Sequence, residues 1–456
     1  MRNARLIIAT LGIVLLCRYG LSSRVCIGQR QAPIWGRLAN AGFENGRIRA
    51  TLFFPGQARD GSRPYNCYAG SNMGLYTVVP QDGIHLRWSE SPGNRQSVVK
   101  QMIAAGVNVI AMSTWGEDFL PCSTGWSWWA PMQSAPQSQD ELFKATEGQP
   151  IFVMPFIESR ADWAFRSEFP KWGDQVAPGT VNQIVNLLER YAPKGTRGVA
   201  RPNWAQVYDR QGLARYAVAI IHASSDQLNA YEHARFAQGF AAIEQEVFRR
   251  TGLRVGFFLD VLPPDTFAPG RFRPSAQWTG SHLKNEPSLL GIMCFIPEVW
   301  IGSSSDSTVI NWKRNFSEAW AATGIPFLMD ISPGYDAHIV FPGSVRYGLN
   351  LNWMTALTSM VQDYGQDGLM FNSWNGYTEA MAAVPTNEYG HAFYSWLSTL
   401  TCIHAGETCR DGIRCLGQNL AGDINQDCVV DFKDLALLAA DWLQTDTGGN
   451  SPTRRR

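Results

Sequence analysis

Polar and aromatic side chains are concentrated directly after an apolar segment, Leu369 to Phe371, near the end of the chain. The next eight positions contain a carboxylate, two amides and two aromatic rings: Asn372, Trp374, Asn375, Tyr377 and Glu379. Functional side chains are often found in loops that a rigid scaffold positions. The pattern therefore predicts a buried strand that ends at an active or binding site. The plainer alternative is a strand followed by an ordinary polar loop.

Apolar segments of strand length alternate with helix-like segments along most of the chain. Predicted strands cover residues 48–55, 107–113, 150–157, 215–223, 253–262, 290–296, 326–331 and 367–372. Predicted helices cover residues 97–105, 180–191, 233–250, 308–323, 352–364 and 392–400. Such alternation implies parallel strands, and eight of them can close into a (β/α)8 TIM barrel with long loops after the strands. An open doubly wound sheet is the alternative, but residues 54–57 lack its glycine-rich phosphate turn.

Carboxylates follow most of the predicted strands, where a barrel of this kind places its active site. Glycoside cleavage requires one carboxylic acid that protonates the leaving oxygen and a second carboxylate that supports the sugar cation or a nucleophile. The predicted catalytic residues are Glu379, Asp260, Glu298 and Asp330. The predicted sugar-binding residues are Trp115, Glu117, Glu158, Trp300, Trp374, Asn375 and Tyr377. The segment that holds Trp126, Trp128 and Trp129 predicts a further substrate platform.

Two other hydrolytic chemistries have no sequence support. The seven histidines are scattered and form no H-x-H pair of the kind that a metal hydrolase places on a strand. A serine nucleophile would need a G-x-S-x-G turn, which is not evident. We therefore expect no cofactor for catalysis.

Two segments, Ser373-Trp-Asn-Gly-Tyr-Thr-Glu379 and Val384-Pro-Thr-Asn-Glu-Tyr-Gly390, resemble the S-W-N-E-W-x-E … E-P-T-x-E-Y-G signature. That signature belongs to the endo-α-mannosidase-type glycoside hydrolases and related barrels. The resemblance covers about twenty residues and implies that Glu379 is the acid/base. Gly376 stands where the family has its other catalytic glutamate, and Val384 replaces the glutamate of E-P-T. Another strand-end carboxylate then takes the missing role, the reaction differs, or the site only binds.

Composition and the N-terminus indicate an exported protein. The 39 acidic and 39 basic residues cancel, which argues against nucleic acid or an anionic membrane as the main partner. Arg2 and Arg5 precede an apolar segment, residues 6–17, which is short for a membrane span and typical of a secretory signal peptide. We predict a signal peptide over residues 1–28, no membrane span in the mature chain, and a secreted, periplasmic or cell-surface location.

The C-terminal region forms a separate unit after the predicted barrel, residues 29–400. Residues 401–418 predict a cysteine-rich linker, residues 419–446 a small helical calcium module, and residues 447–456 a disordered tail. Oxygen ligands recur at the spacing of an EF-hand loop, and the predicted Ca²⁺ ligands are Asp423, Asn425, Asp427, Val429 through its carbonyl, Asp431 and Asp434. The segment resembles one repeat of a type I dockerin, which implies a cohesin-like or cell-surface partner, although cohesin-binding dockerins have two repeats.

The nine cysteines are consistent with export, which permits disulfides. Cys402, Cys409, Cys415 and Cys428 predict a stapled C-terminal region, whereas Cys294 lies in an apolar segment and is predicted to be a buried thiol.

Two functions fit these patterns. The first is a secreted glycoside hydrolase that acts on a polysaccharide or oligosaccharide, and the second is a carbohydrate-binding barrel that has lost catalysis and is anchored by its calcium module. The sugar, the linkage and the stereochemical outcome stay open.

Overall fold

The computed structural model describes residues 34–40, 46–56, 76–114, 136–158, 178–192, 203–221, 230–260, 281–295, 305–339 and 342–405. By its contacts the chain divides into residues 1–34 and residues 35–456. The fold described below belongs to the second unit. The predicted signal peptide, calcium module and tail lie outside the described residues, as do residues 406–418 of the predicted linker and Trp126, Trp128 and Trp129. Residues 401–405, with which the linker was predicted to begin, instead continue the last helix, Ala392–Ala405.

Eight parallel strands form a closed barrel, as the sequence predicts. They are β1 Ile48–Phe53, β2 Val109–Thr114, β3 Phe152–Glu158, β4 Ala214–Ile221, β5 Val255–Asp260, β6 Leu289–Met293, β7 Phe327–Ile331 and β8 Gly368–Phe371. The order around the sheet is β3-β2-β1-β8-β7-β6-β5-β4, and β3 pairs with β4 to close it. β1 lies between β2 and the last strand, with Ile48 opposite Gly368 and Thr51 opposite Phe371. The predicted bounds differ from the observed ones by a few residues.

Eight helices accompany the strands in the described part of the chain. They are α1 Pro92–Ala104, α2 Pro136–Thr146, α3 Pro178–Tyr191, α4 Ala230–Thr251, α5 Ser281–Lys284, α6 Asp306–Ala322, α7 Leu351–Tyr364 and α8 Ala392–Ala405. Side-chain caps fix the starts of two of them. The Ser91 hydroxyl accepts from the Asn94 N–H at the start of α1, and the Asn350 side chain accepts from the Trp353 N–H at the start of α7.

In the described ranges, three short strands lie outside the barrel's parallel set, and the sequence does not predict them. Gln206–Tyr208 pairs antiparallel with β4. Gly334–Asp336 and Arg346–Gly348 form an antiparallel hairpin after β7. Each strand has three residues, which is too short for an alternating hydrophobic pattern to show.

The apolar residues of the strands divide between two layers because successive side chains point to opposite faces. On β7, Leu328 belongs to the cluster that fills the barrel, whereas Phe327, Met329 and Ile331 pack in the cluster beneath the helices. Asp330 shares the inward-facing set of positions with Leu328. The same alternation on β8 directs Met370, and Asn372 after it, toward the barrel interior.

Large aromatic side chains supply much of the outer layer. Among the tryptophans that the structure describes, six have fully buried indoles: Trp88, Trp204, Trp320, Trp353, Trp374 and Trp396. Burial of large aromatic rings contributes strongly to core stability. A substantial share of the tryptophans is therefore part of the core. The sequence alone did not distinguish this role from sugar binding.

Two cysteines, Cys294 and Cys402, lie in the described part of the chain. Cys294 is a buried thiol, as predicted. Cys402, in the last turns of α8, is disulfide-bonded.

Among the helices that the structure describes, none is long and apolar enough to cross a bilayer.

Candidate active site

Glu379 lies in a tight loop that begins at the C-terminal end of β8. A short 3-10 helix, Tyr377–Glu379, is followed by Ala380 in the left-handed region with φ 54°. The chain then folds back, so that the Ser373 N–H donates to the Met381 carbonyl at 2.6 Å and the Ala383 N–H donates to the Ser373 carbonyl at 2.8 Å. These bonds fix the position of Glu379 at the C-terminal end of the barrel.

Glu379 is intermediate in exposure as a residue, and its carboxyl group is surrounded by protein. Burial, which disfavours the charged form, raises its pKa from 4.5 to about 7, against the opposing effect of one hydrogen bond. That bond comes from the Tyr335 hydroxyl, which donates to Oε1 at 3.3 Å. A carboxyl with this pKa exchanges protons near neutral pH, which suits a general acid or base.

The raised pKa predicts that Glu379→Gln stabilises the fold more at high pH than at low pH. Between about pH 4.5 and 7 the folded carboxyl holds a proton that the unfolded chain has lost, so the folded state loses stability as the pH rises through this range. The full shift is equivalent to about 3 kcal/mol, and solvent access reduces the expected effect to about 1–2 kcal/mol. Urea unfolding at pH 5 and pH 8 measures it, with the exposed Glu318→Gln as control. An equal effect of Glu379→Gln at both pH values would contradict the prediction.

The polar residues between β8 and Glu379 support this loop from inside. Asn375, 2 % exposed, accepts from the Phe54 N–H at 2.9 Å and donates to the Phe54 carbonyl at 3.0 Å. Trp374 is fully buried, with its ring edge against Tyr394. Tyr377 is buried edge-on against Tyr76. The sugar-binding role predicted for Trp374, Asn375 and Tyr377 stays a prediction, and in this structure all three position the loop that carries Glu379.

A second segment, residues 76–81, is hydrogen-bonded along the outside of the same loop. The N–H groups of Thr77 and Val78 both donate to the Tyr377 carbonyl, and the Thr77 hydroxyl donates to the Thr378 carbonyl at 2.6 Å. The Asn387 N–H donates to the Val79 carbonyl at 2.8 Å. The residues around Glu379 are therefore held between β1 on one side and this segment on the other.

Two of the other predicted catalytic carboxylates lie at the same end of the barrel, because all eight strands run parallel. Asp260 is the last residue of β5, is fully buried and accepts from the Phe295 N–H at 3.1 Å. Asp330, on β7, is 2 % exposed and pairs with Lys313 from α6 through one oxygen and with the Asn372 amide through the other. Both oxygens of Asp330 are therefore engaged within the fold.

Of the remaining predicted site residues, Glu158 is within the described part of the chain. Glu158 is the last residue of β3 and thus lies at the same end of the barrel. Glu298, Trp115, Glu117 and Trp300 lie outside the described residues, as do the six predicted Ca²⁺ ligands. Within the described ranges, no group of three or more histidine, cysteine, aspartate or glutamate side chains is arranged to hold a metal ion.

Lys313, the partner of Asp330, was not among the residues predicted for the site. Val309, Trp312, Phe316 and Trp320 form the buried face of α6, and Lys313 lies within that face, 1 % exposed. A lysine on the apolar side of an amphipathic helix implies a buried acid as its partner. That signal was present in the sequence.

Gly376 lies in a closely packed position, where an added side chain would meet the Ser373 hydroxyl. A Cβ atom there would lie 2.6 Å from the Ser373 hydroxyl oxygen and 3.3 Å from the Met381 Cβ. The Gly376 carbonyl also accepts from the N–H groups of Glu379 and Met381. A side chain at this position would therefore require the Ser373 hydroxyl to move and the packing against Met381 to adjust.

We expect Gly376→Ala to destabilise the protein by about 1–3 kcal/mol, because the new methyl group overpacks a buried site. Gly93→Ala is the matched control, since its nearest neighbour is 3.7 Å from the added Cβ and alanine is favoured in α1. Adding Ser373→Ala removes the clashing oxygen and should restore part of the loss. Thermal unfolding of the three variants tests this, and an unchanged stability in Gly376→Ala would contradict it.

Comparison with known proteins gives similarity at the level of solved structures. No family model matches the chain, and no curated protein sequence matches it. A family 99 endo-α-mannosidase from Bacteroides thetaiotaomicron is 14% identical, with 77% of this chain and 95% of that chain covered and a TM-score of 0.48. An endo-1,4-β-mannanase from Rhizomucor miehei is 10% identical, with 79% and 95% covered and a TM-score of 0.45. A glycoside hydrolase-like protein is 11% identical, with 80% and 94% covered and a TM-score of 0.45.

Proposed function

We propose that this protein is a secreted glycoside hydrolase that cleaves O-glycosidic bonds of a polysaccharide, with Glu379 as its acid/base. The observation that carries the proposal is the carboxyl of a partly exposed glutamate, with a pKa of about 7, at the C-terminal end of a (β/α)8 barrel. Near neutral pH a substantial fraction of this group is protonated. It can therefore give a proton to the leaving oxygen and, once ionised, take one from the attacking water.

A second carboxylate must support the positive charge that develops on the sugar or act as its nucleophile. We assign this role to Asp260 first and Glu298 second. Asp330 is the least suited of the three candidates, because Lys313 and Asn372 already engage its oxygens. Asp330 instead fixes the end of β7 beside β8.

The alternative is a carbohydrate-binding barrel without catalysis, and Gly376 favours it. The family that the sequence resembles has a catalytic glutamate at that position, and this chain has no carboxylate there. In that case the carboxylates would contact sugar hydroxyl groups, and Glu379 would bind without transferring a proton.

One experiment tests the two functions together. Purified protein is incubated with α-mannans, α-glucans and sulfated glycans, and new reducing ends are measured for the native sequence, Glu379→Gln and the exposed control Glu318→Gln. Turnover that survives in the control and is lost in Glu379→Gln supports the hydrolase. Binding of one glycan without turnover supports the binding barrel, and turnover that survives in Glu379→Gln refutes the assignment of the acid/base.

The predicted calcium module belongs to this proposal as an anchor. Five side-chain oxygens and one carbonyl at EF-hand spacing, residues 423–434, suit Ca²⁺, which prefers oxygen ligands. We propose that this module holds the secreted barrel near a surface or a cohesin-like partner.

A further inference from the structure

Tyr335 is a direct neighbour of Glu379 at the C-terminal end of the barrel. Its hydroxyl donates to Glu379 Oε1 at 3.3 Å. Among the residues that the structure describes, this is the side-chain hydrogen bond that the Glu379 carboxyl receives. Tyr335 comes from the hairpin after β7, whereas Glu379 comes from the loop after β8, so the contact joins two neighbouring strand ends.

The Tyr335 ring is held in place by other aromatic rings. It stacks on Tyr347 of the facing hairpin strand, with centroids 5.9 Å apart and planes 17° apart. Tyr347 packs in turn against Trp353, and the Trp353 N–H donates to the Ser332 carbonyl at 2.8 Å. With 7 % of its surface exposed, Tyr335 has little freedom to turn its hydroxyl away.

The hairpin backbone is fixed as tightly as the rings. Gly334, with φ 145°, lies so close to the opposite strand that a Cβ would be 2.4 Å from the Tyr347 carbonyl oxygen. The Gly348 N–H donates to Asp306 at 2.7 Å, which ties the second strand to the start of α6. The hydroxyl of Tyr335 is thus presented to Glu379 by a hairpin that is anchored at both strands.

The charged groups near this contact are largely compensated. Asp336, next to Tyr335, contacts His338 Nδ1 at 2.5 Å and Arg346 Nε at 3.2 Å. Glu388, on the loop after the 3-10 helix, accepts a hydrogen bond from the Val79 N–H. Burial raises the pKa of the neighbouring Tyr389 hydroxyl. For Glu379 itself, burial and the Tyr335 hydrogen bond are the causes that act on the pKa.

We propose that Tyr335 is a positioning residue for Glu379, which orients Oε1 and stabilises the ionised form that must take a proton in the second half of the reaction. The contact distance and the fixed hairpin carry this inference. The activity readout rests on the proposed function, whereas the titration of Glu379 does not.

The test is Tyr335→Phe, which keeps the ring and its stacking and removes the hydroxyl. Loss of a hydrogen bond to the charged form should raise the apparent pKa of Glu379 by roughly half a pH unit or more. Carbon-13 NMR of protein labelled at the glutamate carboxyl carbon follows this titration, and Glu379→Gln assigns the signal. With a substrate, the alkaline limb of the pH–rate profile should move up by the same amount, and kcat should fall about tenfold.

Tyr216→Phe is the matched control, because Tyr216 is a half-buried tyrosine near the N-terminal end of β4. It should leave the Glu379 titration unchanged. A Glu379 titration that is the same in Tyr335→Phe as in the native protein would overturn the inference, even if Glu379→Gln abolishes turnover. A raised titration with no turnover on any glycan would support the positioning role and count against the hydrolase.

Discussion

Replacement of Glu379 by glutamine should lower turnover of the natural glycan by about 10²–10⁴-fold, the usual contribution of a positioned proton donor. Glutamine keeps the size of the side chain and can still accept a hydrogen bond from Tyr335. It cannot deliver a proton to the leaving oxygen. Steady-state kinetics should therefore show a fall in kcat with a much smaller change in the affinity for the glycan.

The chemistry of the leaving group provides a sharper test of the same variant. An aryl glycoside with an acidic phenol needs little protonation as it leaves, so Glu379→Gln should slow its first cleavage step far less than that of the glycan. The exposed substitution Glu318→Gln, on the outer side of α6, should change neither rate. Equal losses on both substrates would show that Glu379 does not act as the general acid.

Replacement of Lys313 by methionine should destabilise the fold by about 3–5 kcal/mol, because it leaves the Asp330 carboxylate buried without its cation. Both partners are almost inaccessible, so water cannot compensate the lost charge. The double variant Lys313→Met/Asp330→Leu removes both charges and should recover most of the loss. Urea unfolding at pH 7 measures the three free energies of unfolding.

The exposed pair Arg87–Glu90 is the control for burial. Its nitrogen–oxygen distance is 2.9 Å, but both side chains are about half exposed. Arg87→Met should therefore cost less than about 1 kcal/mol. If Lys313→Met were as mild as Arg87→Met, the Lys313–Asp330 pair would not be the buried contact described above, and Asp330 would regain its place among the catalytic candidates.

The barrel could be predicted from the sequence because its strands are buried on both faces. Such strands are continuous apolar segments, and the helices between them repeat apolar residues at helical spacing, as in α4 with Phe240, Ile243 and Val247. The start of the first strand at Ile48 and of the last helix at Ala392 were predicted at the observed residues. Local hydrophobic patterns are sufficient to predict these elements, because each strand is buried on both faces and each helix packs one apolar face against the barrel.

The site was less predictable because it depends on contacts between distant parts of the chain. Trp374 and Glu379 are five residues apart in the same polar segment, yet one is fully buried and the other partly accessible. Nothing local distinguishes an indole that packs in the core from one that faces a sugar. The contact between Tyr335 and Glu379 likewise depends on a hairpin whose strands have three residues each.

The pairing of β1 with β8 also affects how the protein is made. Asn375 is hydrogen-bonded to the backbone of Phe54, which lies 321 positions earlier in the sequence, and residues 76–81 are hydrogen-bonded to a loop about 300 positions further on. During synthesis, one edge of the first strand therefore keeps unpaired backbone N–H and C=O groups until almost the whole barrel has left the ribosome. A ribosome-bound fragment that ends before residue 368 lacks both the strand that pairs with β1 and Glu379.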